Sequence, residues 1–395
     1  MNNLSFIATA DWHLWPFIWR NLSHLRGDSE ASVVEVTARA IETQRPVICA
    51  GDIMDHGEEG AVARELKFLN QALVGVNFFY VVGNHEESGF AGGEKNPRWL
   101  EVIEANSNLN ATHLGGTVTF IDGFAFGGLD YVRGSQAVFA QELETYRTAL
   151  TAGGINKLDV LVLHQPIKEL LGFDGAYQTT QQQLAGLAHL VIIGDIHVSR
   201  TWEHEGTTFL SPGSTVYNDW AEITFEASRS CPADLGYWEV RMDKDTAGRV
   251  AIDTTRVTTG NQRVFFDLSV LTPEAEVDAM KAFTAFGVEA FANNIPCPAL
   301  ARVRYHAEHT TFIAELQRLA SSVGVELDLR PVHTNTAISA ELETLRQADG
   351  ANITDVVIAR HVDGEKDKTL SKTISEILAD ETQRPDLILE RVVAE

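Results

Sequence analysis

Five short polar motifs in the first half of the chain combine residue types that bind metal ions. In chain order they are ADWH, GDIMD, GNHE, LHQP and GDIH. Carboxylate, imidazole and amide groups together suit divalent cations such as Mn²⁺, Mg²⁺, Zn²⁺ or Fe²⁺. Two such ions roughly 3.5–4 Å apart form a centre that acts on phosphate esters. The motifs therefore predict a site for phosphoester chemistry.

Each motif has a plainer interpretation when it is taken alone. An isolated Asp-x-His is usually a surface feature, and a lone histidine such as His164 is more often capped or solvated than a ligand. Asp52 and Asp195 could simply cap helices. The occurrence of all five in one order, each after an apolar run, favours a joint site. The candidate residues are Asp11, His13, Asp52, Asp55, Asn84, His85, Glu86, His164, Asp195 and His197.

Apolar runs precede the motifs and predict the strands that must position them. They cover residues 4–10, 47–50, 76–82, 159–163 and 189–193. Helical periodicity lies between several of them, for example over residues 30–43 and 60–73. Strands that alternate with helices indicate an α/β fold with buried strands. Ligands in such folds gather at the carboxyl ends of the strands, so we expect the five motifs to converge.

The composition bounds the class of protein. A chain of 395 residues with 44% hydrophobic residues predicts two or three domains with real cores. Three scattered cysteines argue against a disulfide framework and favour a reducing cytoplasm. We expect no signal peptide and no membrane span. The formal net charge of −24 by itself argues against nucleic-acid binding, because phosphate backbones attract Lys and Arg.

The pattern changes after residue 262. Residues 263–335 read as a small β-α-β-α-β unit, and residues 336–395 are helical by period. We therefore expect a catalytic domain at 1–262, a second domain at 263–335 and a helical tail at 336–395.

The ordered series D-x-H, GD-x-x-D, GNH-E, H and G-x-x-H resembles the calcineurin-like metallophosphoesterase superfamily. Within it the chain looks most like the SbcD-type (meiotic-recombination-eleven-like) DNA nucleases, including phage members. The segment FLSPGSTVYND, the β-α-β-α-β unit and the helical tail carry that finer resemblance. The resemblance implies a β-sandwich flanked by helices (α-β-β-α), a capping domain that contacts DNA, and a tail that binds a partner ATPase.

The resemblance also implies roles for the candidate residues. One metal ion would be held by Asp11, His13, Asp52 and His197. The other would be held by Asp52, Asn84, His164 and Asp195, with Asp52 shared. His85 would be catalytic, as a general acid or a stabiliser of transition-state charge. Asp55 and Glu86 would orient the ligands.

Asp195 departs from the family pattern. SbcD-type enzymes usually read G-H-x-H where this chain has Gly194, Asp195, Ile196 and His197. A carboxylate there adds negative charge and prefers harder ions, which favours Mn²⁺, with Mg²⁺ as the alternative. It also raises the question of weaker binding at the second metal position.

The resemblance implies a metal-dependent DNA nuclease, exonuclease or endonuclease, in DNA end processing, recombination and double-strand-break repair. Its implied partners are DNA, contacted by Arg302 and Arg304, and an SbcC-like coiled-coil ATPase. A homodimer is a further expectation. The location would be the cytoplasm, or the host cytoplasm for a phage protein. The alternative is a phosphoesterase of nucleotides, cyclic nucleotides or phosphoproteins. A scaffold without catalysis, suggested only by Asp195, is a third hypothesis.

Overall fold

The computed structural model describes residues 2–14, 27–55, 59–88, 103, 106, 109–171, 177–218, 220, 222–223, 229–230, 235–260, 263–270, 275–292, 298–306 and 309–332. The helical tail predicted at 336–395 lies outside the described residues.

The first sheet contains the strands that precede three of the motifs. Along the chain its strands are β1 (Asn2–Thr9), β2 (Val47–Cys49), β3 (Asn77–Tyr80), β4 (Asn110–His113), β12 (Gly236–Lys244) and β13 (Val250–Thr258). Their spatial order is β13-β12-β1-β2-β3-β4. Strands β1 to β4 are parallel neighbours, and β12 is antiparallel to β1. The carboxyl ends of β1, β2 and β3 therefore lie at one edge.

The second sheet contains the strands that precede the other two motifs. Its strands are β5 (Val118–Ile121), β6 (Phe124–Leu129), β7 (Leu158–His164), β8 (Ala188–Gly194), β9 (Arg200–His204) and β10 (Thr207–Ser211). Their spatial order is β5-β6-β7-β8-β10-β9, and β6, β7, β8 and β10 are parallel. The predicted strands are thus divided between two sheets.

Helices lie between many of the strands along the chain, and the longer ones cover the outer faces of the two sheets. They are α1 (Asp28–Thr43), α2 (Glu59–Ala72), α3 (Asn84–Ser88), α4 (Gln136–Ala152) and α5 (Gln181–Leu184), with a 3₁₀ turn at Lys168–Leu170. Side chains alternate along a strand, so Phe6 of β1 faces the second sheet while Ile7 packs on α1. On the second sheet, Leu161 packs against Phe139 of α4. The layers are α-β-β-α, and the predicted mixed α/β fold is confirmed.

A third sheet lies in the C-terminal part of the chain. It contains β11 (Arg229–Ser230), β14 (Phe265–Val270), β15 (Ala299–His306) and β16 (Val325–Val332), in the order β11-β14-β15-β16. Helices α6 (Ala275–Ala292) and α7 (Thr310–Val323) connect the last three strands. The roles of this region as a capping domain and its boundaries at 263 and 335 stay predictions.

The chain divides into two compact units, one of residues 1–304 and 309–330 and the other of residues 305–308 and 331–395. The first unit contains both large sheets together with α6 and α7. No helix in the described ranges has both the length and the apolar character needed to cross a membrane.

Candidate metal centre

The five motifs lie at the carboxyl ends of strands from both large sheets. The loop after β1 runs beside the loop after β2, with the amide of Asp11 donating to the carbonyl of Gly51 at 3.0 Å and that of His13 donating to Asp52 at 2.9 Å. His164 ends β7 and pairs in register with Gly194 at the end of β8. The structure thus brings the predicted ligands to one end of the sandwich.

Asp11, His13 and His197 form one group of potential ligands, with one ligand atom from each within 4.8 Å of the others. The Nε2 atoms of His13 and His197 are 3.0 Å apart. The Oδ1 atom of Asp11 lies 3.9 Å from Nε2 of His197. Two imidazole nitrogens and a carboxylate facing one another at these distances suit a shared divalent ion.

Asp11, Asp52 and His164 form a second group of the same kind. Nε2 of His164 lies 3.3 Å from Oδ2 of Asp52, and 2.9 Å from Oδ1 of Asn84. Oδ2 of Asp52 is also 3.7 Å from Nε2 of His13. Asp52 therefore lies between the two groups, as a shared ligand would. Asp195 lies next to this second group, with its Oδ1 atom 3.7 Å from Nε2 of His164.

The three histidines of these groups share one orientation. Nδ1 of His164 lies 2.7 Å from the carbonyl oxygen of Ala50, and Nδ1 of His13 lies 3.3 Å from Oδ1 of Asp55. Nδ1 of His197 lies 3.0 Å from a carboxylate oxygen of Glu222. At His164 and His197 the oxygen that accepts the Nδ1 proton leaves Nε2 as the ligand atom, which is the usual arrangement around protein-bound metals, whereas Nδ1 of His13 makes no hydrogen bond in the described structure.

Local backbone conformation is unusual at four of the predicted ligands. Asp11, His13, Asp52 and Asp195 have φ angles of 52°, 43°, 50° and 90°. Side chains other than glycine adopt this region at a cost of order 1–3 kcal/mol each, and such residues concentrate at functional sites. The turns thus direct these four side chains toward the site at one end of the sandwich, at the expense of stability.

Three glycines precede ligand residues, and the structure gives them two different roles. Gly51 has a φ of 91°, as expected for a sharp turn. Gly83 and Gly194 have ordinary φ angles but no room for a side chain. A Cβ on Gly83 would lie 2.0 Å from Oδ1 of Asp52, and one on Gly194 would lie 2.1 Å from the carbonyl oxygen of Ala50. Close packing therefore requires glycine at these two positions.

We expect Gly83→Ala to displace Asp52 and to weaken metal binding. The added methyl would also lie 2.4 Å from the backbone nitrogen of Asp52, which cannot move as a flexible side chain can. Overpacking of this kind costs about 1–3 kcal/mol of unfolding free energy. Gly260→Ala is the matched control, because its Cβ meets nothing within 4 Å. Denaturant unfolding and Mn²⁺ titration of both variants check the expectation, which equal affinities would contradict.

The buried carboxylate of Glu86 binds backbone amides of the loop after β2. It is fully buried and accepts hydrogen bonds from the amides of Asp52 at 3.1 Å, Met54 at 2.8 Å and Gly83 at 2.5 Å. Burial, followed by the charge of Asp52, raises the pKa of Glu86 to about 8. Glu86 holds backbone atoms of two motif loops, which suits the predicted role in orienting ligands.

His85 lies beside the two ligand groups and forms a third group of potential ligands with His13 and Asp55, with its ring centroid 4.7 Å from that of His13. Its Nδ1 atom is 2.9 Å from the carbonyl oxygen of Asp55 and 3.2 Å from Oδ1 of the same residue. Burial disfavours the charged ring, but the bonds to Asp55 and the charge of Asp52 outweigh it and raise the pKa of His85 to about 9. A protonated, partly exposed imidazole beside the centre can donate a proton.

Glu222 is a site residue that the sequence did not reveal. It accepts from Nδ1 of His197 at 3.0 Å and from the amide of Asn218 at 2.9 Å. A carboxylate partner for a ligating histidine is common. The stretch after SPGS contains Asp219, Glu222 and Glu226, so the sequence offered a signal but no means of choosing among them.

The site contains several buried carboxylates whose negative charge metal ions would offset. Oδ2 of Asp11 is buried and has no hydrogen-bond partner, and the amide of Asp195 donates to the other oxygen at 3.1 Å. Burial, together with the charges of Asp11 and Asp52, raises the pKa of Asp195 to about 6 despite the opposing effect of His164. Divalent cations among these carboxylates would offset the repulsion and satisfy the buried oxygen. The residues therefore fit a pair of metal ions.

We expect metal binding to release protons. Burial disfavours protonated His197, but its bond to Glu222 and nearby acidic charges raise its pKa to about 9; acidic neighbours likewise raise the pKa of His164. A ligating imidazole must be neutral, so Mn²⁺ affinity should increase with pH until these rings have lost their protons. Calorimetric titration at pH 7 in buffers of different ionisation enthalpy should give a release of about one to two protons. Binding heats that do not depend on the buffer would contradict this.

Arg302 and Arg304, the predicted DNA contacts, lie together on β15. Arg302 makes two hydrogen bonds with Asp267, each 2.9 Å long, and Arg304 adds another at 2.9 Å. The single carboxylate of Asp267 therefore pairs with both guanidinium groups. Their role in DNA binding stays a prediction.

Comparison with known proteins places the first half of the chain in a protein family. Residues 4–199 match the family model described as calcineurin-like phosphoesterase. This part of the chain, which contains all the predicted ligands, belongs to that metallophosphoesterase family. The family uses a dinuclear metal centre, and the Asp and His groups described above could hold one. No curated protein matches the chain.

Several solved structures are similar to part of the chain. A predicted phosphoesterase from Streptococcus pneumoniae is 14% identical, with 67% of this chain and 99% of that chain covered and a TM-score of 0.27. Zinc-complexed Vps29 from Entamoeba histolytica is 15% identical, with 64% and 99% covered and a TM-score of 0.26. The purple acid phosphatase PPD1 from yellow lupin (Lupinus luteus) is 12% identical, with 65% and 54% covered and a TM-score of 0.34.

Proposed function

We propose that this protein is a two-metal DNA nuclease of the SbcD type, which hydrolyses phosphodiester bonds during DNA end processing. The observation that carries phosphoester hydrolysis is the pair of ligand groups with Asp52 between them and His85 beside them. The choice of DNA as substrate is supported by the Pro-Gly-Ser segment after the last motif and by the order of elements from β14 to β16.

In the proposed reaction, some residues would bind the metal ions and another would donate a proton. One ion would be held by Asp11, His13, Asp52 and His197, and the other by Asp52, Asn84, His164 and Asp195. Two bound divalent ions, Mn²⁺ or Mg²⁺, would supply Lewis acidity that activates the attacking water and neutralises charge on the phosphate. His85, fixed at Nδ1 by Asp55, would donate a proton from Nε2 to the leaving oxygen.

The proposed partners follow from the same assignment. DNA would approach an acidic protein, whose formal net charge is −24, so affinity for DNA would depend on a companion. We propose that this companion is an SbcC-like ATPase bound by residues 336–395. We also propose that the protein forms a homodimer and is located in the cytoplasm.

A phosphoesterase of small substrates is the second candidate. The acidic surface and the pairing of Arg302 and Arg304 with Asp267 both favour it. Nucleotides, cyclic nucleotides and phosphoproteins would need less positive surface than a DNA duplex does.

One assay distinguishes the candidates. Purified protein stripped of metal would be incubated with labelled single- and double-stranded DNA, bis(p-nitrophenyl) phosphate, 3′,5′-cyclic AMP and a phosphopeptide. Each reaction would contain Mn²⁺, Mg²⁺ or EDTA, and Asp52→Asn would control for contaminating enzymes. Metal-dependent cleavage of DNA is the expected result. Cleavage of small esters without DNA cleavage would favour the second candidate, and no cleavage of any ester would refute both.

A further inference from the structure

The described residues of segment 214–223 connect the candidate metal centre with the C-terminal sheet. At one end, Oγ of Ser214 donates to the carbonyl oxygen of Asp11 at 2.9 Å. Toward the other end, Glu222 accepts from Nδ1 of His197. The segment thus touches the backbone of one predicted ligand and the side chain of another.

Trp220, two residues before Glu222, is held by three strands of the C-terminal sheet. Its Nε1 atom donates to Oδ2 of Asp328 on β16 at 2.8 Å. The guanidinium of Arg302 on β15 lies 4.7 Å from the centre of the indole ring. The ring of Phe265 on β14 packs edge-on at 5.6 Å. Three independent contacts from three strands fix one indole ring.

The residue after Glu222 packs against the same sheet. Ile223 belongs to a buried cluster that includes Phe265 of β14 and Leu300 of β15, with Trp220 packed against it. Glu222 is therefore flanked on both sides by residues anchored to the C-terminal sheet. Its own carboxylate is held at the second oxygen by the amide of Asn218. The direction in which Glu222 points consequently depends on how this sheet holds the segment.

We infer that Trp220 is a positioning residue for the metal centre. Through Trp220 and Ile223, the C-terminal sheet fixes Glu222, and Glu222 fixes the imidazole of His197. The effect falls on the ion held by Asp11, His13, Asp52 and His197, because the other predicted set has no contact with Glu222 among the described residues. This inference rests on the proposed two-metal function.

The test is a calorimetric titration of the metal-stripped full chain with MnCl₂. Trp220→Phe keeps an aromatic ring but removes the donor to Asp328. One of the two binding steps should weaken by about 2- to 10-fold, because only part of the strength of the lost hydrogen bond to the Asp328 carboxylate would reach His197, while the other step stays unchanged. Glu222→Ala, which removes the direct partner of His197, should weaken the same step by ~10–100-fold.

Trp202→Phe is the matched control. Trp202 is also half-buried, and its Nε1 atom donates to Oε1 of Gln181 at 2.8 Å, away from segment 214–223. Its loss should change neither step. A second pair of variants tests the same contact from the other side. Asp328→Ala removes the acceptor and should reproduce Trp220→Phe, whereas Asp328→Asn retains an acceptor oxygen and should bind Mn²⁺ more like the wild type.

The possible outcomes separate this inference from the proposed function. Two-step binding by the wild type, with Trp220→Phe and Trp202→Phe indistinguishable, would overturn the inference and leave the function standing. Equal weakening of both steps would also overturn it, because a general loss of structure has that effect. A wild type that binds no metal would overturn both. If Trp220→Phe does not fold, by circular dichroism, the Asp328 pair decides.

Discussion

Asp52→Asn is expected to reduce metal-dependent hydrolysis of a phosphodiester by about 10³-fold or more. Oδ2 of Asp52 lies 3.3 Å from Nε2 of His164 and 3.7 Å from Nε2 of His13, so one carboxylate serves both ligand groups. Loss of its charge would weaken both ions together. Metal ions supply several kcal/mol of transition-state stabilisation, and about 4 kcal/mol corresponds to this loss of rate.

Hydrolysis of bis(p-nitrophenyl) phosphate, followed at saturating and at limiting Mn²⁺, measures the effect. Asp159→Asn is a suitable control, because Asp159 is also a buried aspartate, held by Lys244 at 2.9 Å and by the amide of Ala125 at 2.7 Å. Any loss of stability in that variant should leave the activity of the folded protein near that of the wild type. Activity of Asp52→Asn within tenfold of the wild type would refute the role of a shared ligand.

His85→Ala is expected to lower the rate of phosphodiester cleavage by ~10²–10⁴-fold, the usual contribution of a general acid or base. Metal affinity should stay nearly unchanged, because neither predicted ligand set includes this ring. The backbone amide of His85, which donates to Oδ1 of Asp52 at 3.0 Å, is retained in the variant. The expected signature is therefore a fall in kcat without a change in the Mn²⁺ titration.

His204→Ala provides the comparison for this experiment. His204 lies on β9, with Nε2 2.9 Å from Oε1 of Gln182, and touches none of the predicted ligands in the described structure. Its removal should change neither rate nor metal binding. A His85→Ala enzyme with a normal rate would contradict the catalytic role, and one with lost metal binding would instead make His85 a structural support.

Much of the candidate site follows from local sequence. Each apolar run ends at residues whose types suit a divalent ion, and the period of the runs predicts buried strands. Because parallel strands present their carboxyl ends at one edge, the convergence of the motifs is predictable from the order of the runs. The strands lie at nearly the predicted positions, for example β7 at Leu158–His164 and β8 at Ala188–Gly194. The histidine and aspartate residues named from the motifs do meet.

Tertiary structure decided the rest, because contacts between distant residues leave no local period. The left-handed conformation falls on Asp52 as well as on Gly51, and on Asp195 but not on Gly194, and Gly83 is required by the nearness of Asp52. The choice of Glu222 as the partner of His197 depends on how the chain returns from the second sheet. Arg302 could serve as a DNA contact by sequence, yet in the fold it lies against Asp267 and Trp220. The sequence determines which residue types are present. Which charged side chains pair with each other depends on how strands that are far apart in the chain pack together.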